Sequence, residues 1–396
     1  FREHPHPIFW RMSSPLPLGQ KGLYPNIVRL AFGPPDYAQR LTLWRSALAA
    51  TPLEVGLELE TLAGRYRLNG RQIEEASGAA RQAAWQRTPE NPAVTFHDLS
   101  LAARASTSSQ LGELAQRIEP RHGWADLVLP DDRLAQLQEM CDQFRYRHIV
   151  YDKWGFGRRS LAGRGLSALF AGPSGTGKTM AAEIIANELE LDLYRIELSA
   201  VVSKYIGETE KNLKRVFDAA EGGNDILLFD EADALFGKRS ETKDAHDRYA
   251  NIEISYLLQK IEAYGGVAIL TSNLRKNLDE AFMRRLHFTI EFPFPDEKAR
   301  LQIWQKLLPD EAPVGDDIDL DDLAARFKFS GGSIRNVWVN AAFLAAREGE
   351  PITMRHLLWA VRREFQKLGK LVDEGRFVTT PAAQSIPDTI LGRRVP

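Results

Sequence analysis

Gly172-Pro173-Ser174-Gly175-Thr176-Gly177-Lys178-Thr179 is the stretch whose residue types and spacing most directly imply chemistry. It has the form G-x-x-x-x-G-K-[ST], with a short apolar run before it (Ala168, Leu169, Phe170, Ala171) and a helical pattern from Met180 to Leu189 after it. Gly172, Gly175 and Gly177 let the backbone curl so that successive N–H groups point into one concavity. The N-terminus of the following helix adds partial positive charge there. Lys178 supplies a point charge for the β- and γ-phosphates, and Thr179 a hydroxyl for Mg²⁺. Residues Gly172 to Thr179, with Met180 beside them, are therefore the expected ATP-binding loop.

Three further groups could complete a reaction on that phosphate. The apolar run Ile226-Leu227-Leu228-Phe229 ends in Asp230 and Glu231. A strand terminus beside a phosphate loop can place a metal and a water. Asp230 suits Mg²⁺ through its water shell, and Glu231 can polarise a water that attacks the γ-phosphorus. A second apolar run, Val267 to Leu270, leads through Thr271 and Ser272 to Asn273, whose amide can orient the same water because it both donates and accepts. The segment Leu278 to Arg285 reads as a helix ending in two guanidinium groups, Arg284 and Arg285. Such arginines either complement a helix dipole or reach a neighbour's γ-phosphate. Arg335, just after Ser330-Gly331-Gly332, opens another helix and can contact the γ-phosphate of its own subunit.

Apolar runs at Ala168–Ala171, Leu191–Glu197, Asp225–Phe229, Val267–Leu270 and Thr289–Phe292 alternate with helical stretches, which predicts a parallel sheet covered on both faces. Residues 105–123 read as a connector, Leu127 to Pro130 as a short strand or turn, and Asp132 to Asp152 as a helix. The lone Cys141 reads as a small buried side chain on that helix. The remaining chain shows a duplication. FGPPDYAQRLTLW (Phe32 to Trp44) echoes FPFPDEKARLQIW (Phe292 to Trp304) at an offset of 260 residues, and further matches follow at 261 and 258. Both copies read as helical. Residues 1–26, rich in Pro and His, read as exposed loop in which His4 and His6 are too few to hold a metal. The tail from Arg376 is polar and turn-rich.

The chain has 396 residues, is 44% hydrophobic and 26% charged, and carries a formal charge of −2. That balance gives no general attraction to nucleic acid or to an anionic membrane. No apolar run approaches the ~20 residues that span a bilayer. With one cysteine and no apolar leader, a cytoplasmic setting is expected.

Taken together, the motifs resemble the AAA branch of the AAA+ ATPases. GPSGTGKT looks like the family's Walker A, ILLFDEAD (Ile226 to Asp233) its Walker B, TSN (Thr271 to Asn273) its sensor 1 and SGGSIRN (Ser330 to Asn336) its sensor-2 turn. SKYIGETEKNL (Ser203 to Leu213) is similar to its first pore loop. The resemblance implies a P-loop α/β domain with a five-stranded parallel sheet, followed by a helical lid. It also implies a hexameric ring that hydrolyses ATP with Mg²⁺ at subunit interfaces. Lys204, Tyr205, Ile206 and Gly207 would line the pore and grip a polypeptide, and Gly237 to Arg248 falls where a second pore loop is expected. Val128 and its neighbours would pack on the adenine, and Gly331 would lie beside the nucleotide.

Two positions depart from the pattern. His287 stands where many relatives carry a second finger arginine, which favours Arg284 over Arg285. Glu74 stands in the first copy where the second has Arg335, and a carboxylate there would repel ATP. The expected organisation is therefore a degenerate upstream module's lid within residues 1–112, an ATPase subdomain at 113–295, its lid at 296–375 and a tail at 376–396. Within the family, the segments from Gly157, Lys243 to Glu253 and Asn273 to Asp296 look like the bacterial ATPases that accompany contractile injection systems. The implied activity is ATP-driven remodelling of a protein. A DNA-directed motor or loader and a slowly turning ATP-switched scaffold are the competing readings. The charge balance disfavours the first, and the full set Glu231, Asn273 and Arg284 disfavours the second.

Overall fold

Among the described residues six strands make one sheet: β1 (Gln116–Ile118), β2 (Leu166–Ala171), β3 (Leu193–Glu197), β4 (Ile226–Asp230), β5 (Val267–Ser272) and β6 (Phe288–Glu291). Their order is β1-β3-β4-β5-β2-β6. The five predicted strands are parallel, and Val267 of β5 lies opposite both Leu166 and Ile226. The expected five-stranded sheet is thus corrected to six by β1, which pairs antiparallel with β3 inside the stretch read as a connector. Gln-Arg-Ile is too short and polar to show a strand period. It is a blunt edge of the kind that resists further pairing. Because the other five strands run the same way, the ends of β2, β4 and β5 gather on one side of the sheet, where an open α/β sheet places its ligand.

This computed structural model describes residues 33–106, 111, 115–158, 165–201, 208–220, 225–234, 245–273 and 283–369. The chain divides into two compact units, Phe1–Pro34 and Pro35–Pro396, and every element named here belongs to the second. Besides a short helix, Leu198–Val201, its helices among the described residues are α1 (Tyr37–Ala47), α2 (Leu59–Arg65), α3 (Gly70–Arg87), α4 (Phe96–Ser106), α5 (Asp131–His148), α6 (Lys178–Leu189), α7 (Glu208–Ala220), α8 (Ala245–Ala263), α9 (Glu297–Lys306), α10 (Leu320–Arg326), α11 (Gly331–Glu348) and α12 (Met354–Lys367). Residues 127–130 are irregular, and a single π-turn, Ile149–Lys153, follows α5.

The two faces of the sheet follow from strand alternation. Ala168 and Phe170 of β2 join a core with α5 and α6, whereas Leu169 and Ala171 join one with α7 and α8. Cys141 lies inside the first of these cores, 2% exposed, and burial pushes its thiol up to about 12. A thiol that stays protonated cannot act as a nucleophile near neutral pH.

Helices α1–α4 and α9–α12 are two copies of one unit, as the repeat predicts. Asp36 and Asp296 cap the first helix of each by accepting from a backbone N–H three residues on. Trp44 and Trp304 are fully buried at the same place. Arg40 Nε donates to Ala63 O at 2.9 Å and Arg300 Nε to Ala324 O at 2.8 Å. Each buried guanidinium thereby satisfies a carbonyl that a helix end leaves open. The isolated bridges Leu53–Val94 and Val314–Ile352 close both copies in the same way.

The copies differ in what they pack against. The second has a core of its own, built from Trp304, Phe327, Phe329 and Trp338 among others. The first shares a core with α5, α6 and the sheet. Polar contacts reinforce the join. Arg104 Nη2 lies 2.5 Å from Asp192 Oδ1, Tyr66 Oη donates to Glu190 O at 2.9 Å, and Arg147 donates to both Gly265 O and Gly64 O. Arg147 is so enclosed that burial pushes its guanidinium down to about 9.

Candidate functional site

Strand β2 stops at Ala171, and the glycine-rich loop carries the chain to α6, with Gly177 at the N-cap. A Cβ on Gly172 would sit 2.1 Å from Phe292 O, and one on Gly175 (φ +77°) would sit 2.7 Å from Ser330 Oγ. The loop is thus a cradle that side chains would fill, open to a ligand approaching the backbone. Pro173, Ser174 and Gly175 are exposed, and Thr179 and Met180 are half-buried on the first turn of α6. Lys178 is 8% exposed. Its Nζ donates to Gly172 O at 2.6 Å, Pro173 O at 2.9 Å and Asn273 Oδ1 at 2.9 Å. All three acceptors are uncharged, so among the described residues a buried ammonium lies at the loop with no carboxylate bonded to it. Burial pushes its pKa below the ordinary value, while Asp230 and Asp233 at longer range pull the other way. An anion is what this arrangement lacks, and phosphate oxygens fit it.

The end of β4 lies beside it. Asp230 Oδ1 accepts from Thr271 Oγ1 at 2.5 Å and from Glu231 N at 3.2 Å, and Asp230 Oδ2 lies 2.7 Å from Arg195 Nη2. Glu231 N also lies 3.2 Å from Thr271 Oγ1, so Thr271 holds the first residue past the strand. Glu231 itself is exposed and has φ +55°. The left-handed region costs a residue with a Cβ about 1–2 kcal/mol, a strain found mostly at functional sites. The turn ends the strand direction at Glu231 and leaves its carboxylate in solvent. Asp233 fixes the neighbouring strand end: its Oδ1 accepts from Ser272 Oγ at 2.5 Å and its Oδ2 from Asn273 N at 2.9 Å. Asn273 is therefore held at its backbone by one acidic residue and engaged at its side chain by Lys178.

The second helical copy covers the loop. Ser330 caps α11, Gly331 begins it, and Gly332 N donates to Gly175 O at 3.0 Å. Lys306 reaches back to Ala125 O. Arg335 is exposed one turn into α11. On the other side of the loop the buried Leu127 would meet a Cβ on Gly177 at 3.2 Å, and Val128 is half-buried next to it. In the first copy the equivalent helix, α3, is capped by Asn69 and carries an exposed Glu74. No glycine-rich loop adjoins it among the described residues.

The structure thus joins the loop, Lys178, Asp230, Glu231, Asn273 and Gly331 into one site. Arg284 and Arg285 are exposed beyond it, and Arg285 Nε lies 3.5 Å from Glu262 Oε1 at the end of α8. His287 has a structural task, because its Nδ1 accepts from Ser167 N at 3.2 Å and its own N–H donates to Ser167 O at 3.0 Å. Lys204, Tyr205, Ile206 and Gly207, and most of Gly237 to Arg248, lie outside the described residues. Sequence reasoning missed the parts played by Arg195 and Leu127. The signal for Arg195 was a lone cation inside the apolar strand Leu193-Tyr194-Arg195-Ile196, since a charge placed there needs a partner.

The ammonium held only by neutral acceptors makes one measurement decisive. Lys178→Met is expected to weaken ATP binding about 100-fold, from the loss of charge-assisted contacts of roughly 1.5–3 kcal/mol. Isothermal titration with ATP on folded variant protein checks it.

Known proteins agree with the geometry. Residues 168–294 match the ATPase family associated with various cellular activities (AAA). Residues 36–109 and 296–366, the two helical copies, both match the contractile injection system ATPase helical domain. The AAA family ATPase y4kL of Sinorhizobium fredii is 31% identical over 249 residues, which cover 63% of this chain and 71% of that protein. Among the described residues no helix is long and apolar enough to cross a membrane. With a phosphate cradle, a strand-end acidic pair and a lid copied twice, the chain belongs to the AAA family of ATPases and carries the helical domains of those associated with contractile injection systems.

Proposed function

We propose that this ATPase depends on Mg²⁺, works as a ring of identical subunits, and remodels a protein substrate in the assembly or disassembly of a contractile injection particle. The observation that carries the reading is the meeting of Lys178, Asp230, Glu231 and Asn273 at the ends of neighbouring strands under a lid that touches the loop. ATP is the substrate, its phosphates suited to Gly172–Thr179 and its base to the apolar wall of Leu127 and Val128. Thr179 and Asp230 are the residues that would hold Mg²⁺, which when bound would neutralise phosphate charge. Glu231 takes the proton of the attacking water, and Asn273 orients that water. Arg335 serves the γ-phosphate from the chain's own lid. Arg284, exposed at the start of the segment leading to β6, serves the γ-phosphate of the next subunit.

In this reading Lys204–Gly207, which lie in sequence between the short helix Leu198–Val201 and α7, face the ring axis and grip an extended chain. Light scattering with Mg²⁺ and a non-hydrolysable ATP analogue is expected to show a hexamer, and a monomer at every concentration overturns the ring. Tyr205→Ala is expected to keep basal hydrolysis within about twofold while substrate remodelling falls about tenfold or more, a split that separates grip from chemistry. Equal remodelling by variant and parent overturns the axial grip. Neither nucleic acid nor membrane has a place in this reading, and a cytoplasmic setting suits it.

A further inference from the structure

Arg195 occupies an unusual place for a cation. It lies in β3, where its Nη2 is 2.7 Å from Asp230 Oδ2, and Glu197 Oε1 is 4.0 Å away. Its Nε is buried and has no hydrogen-bond partner among the described residues. Leaving a guanidinium donor unmet costs stability, so the arrangement is not explained by sheet stability alone. Asp230 is the acidic residue that would hold the divalent ion, and a carboxylate has about four lone-pair positions. Thr271 Oγ1 and Glu231 N use Oδ1, and Arg195 uses Oδ2. Little of the carboxylate is left for a metal to bind directly, and the nearest charge to it is already positive.

We infer that Arg195 is a positioning residue that acts as a resident counter-cation. It confines Asp230 to a hold on the divalent ion through water, and it keeps the affinity for that ion low. The inference rests on the reading of the loop as an Mg-ATP site and adds a determinant of metal affinity to it. Two effects favour tighter metal binding when the guanidinium is removed. The repulsion that the guanidinium beside Asp230 would exert on a divalent ion held by that carboxylate disappears, and Oδ2 loses its partner. After solvent screening, about a tenfold gain in affinity is expected from the electrostatic part.

The test is Mn²⁺ binding to the full chain with ADP, read from the electron paramagnetic resonance signal of free Mn²⁺. Arg195→Gln is shorter and keeps a hydrogen-bond donor but loses charge, and it is expected to bind Mn²⁺ about tenfold more tightly than the parent protein. Arg195→Lys keeps charge without the planar fork and is expected to fall between the two. Folded Arg195→Gln protein with unchanged or weaker Mn²⁺ affinity overturns the inference. Should that variant not fold, a folded Arg195→Met protein, which also lacks the charge, overturns it instead if its Mn²⁺ affinity is unchanged or weaker than that of the parent. Binding of a fluorescent ADP to the parent protein is measured first. No ADP binding there sinks the reading of the site itself, whereas normal ADP and Mn²⁺ binding with an indifferent Arg195→Gln sinks only the role of Arg195.

Discussion

The Glu231→Gln protein is expected to bind ATP with near-parental affinity and to hydrolyse it about 10²–10⁴-fold more slowly, the usual worth of a positioned general base. Affinity survives because the cradle and Lys178 lie on another strand and helix, and Glu231 bonds neither through its side chain. The amide keeps the size and polarity of the side chain, so the backbone turn held by Thr271 and Asp230 is retained. Only the capacity to take a proton is lost. Single-turnover hydrolysis beside equilibrium ATP binding separates the two effects. Turnover at the parental rate removes Glu231 from the role of base and shifts attention to a carboxylate such as Asp233.

Arg284→Ala is expected to lower turnover about 10³-fold, the scale on which an arginine supplied to a transferring phosphoryl group acts. Binding of ATP to a single subunit should change little, because Arg284 stands outside the cradle. The diagnostic is mixing. Arg284→Ala subunits have an intact Glu231, and Glu231→Gln subunits have an intact Arg284, so each can complete a site with the other. A mixture of two nearly inactive proteins should therefore recover measurable hydrolysis. No recovery in verified mixed assemblies would show that Arg284 does not cross to its neighbour. Arg285→Ala should be milder, since that guanidinium is engaged with Glu262 on its own chain.

Much of the site was legible before any coordinates. The glycine spacing, the acidic pair after Ile226–Phe229 and the amide after Val267–Ser272 are local patterns, and parallel strands bring their ends together by topology. The duplication was legible because its structural residues keep register: Arg40 with Arg300, Trp44 with Trp304. What escaped depends on distance in space. Strand β1 has three residues and borrows its definition from β3. Arg195 and Asp230 are 35 positions apart in sequence and meet only because β3 and β4 pair. Leu127 gained its place beside Gly177 from the fold of an irregular segment with no period to read. The absorption of the first helical copy into the sheet's core was hidden for a further reason. Its apolar spacing resembles that of the second copy, whose core is separate.

That asymmetry between the copies has a mechanical consequence. Residues 36–106 are welded to the α/β body, so they must travel with it as a single lever arm whenever the body tilts. The second copy meets the body differently: it has a core of its own, and Gly332 meets Gly175 and Lys306 meets Ala125 by hydrogen bonds. If the proposed ATP-driven remodelling holds, a movement that begins under α11 would be carried by that arm to the far end of the first helical copy.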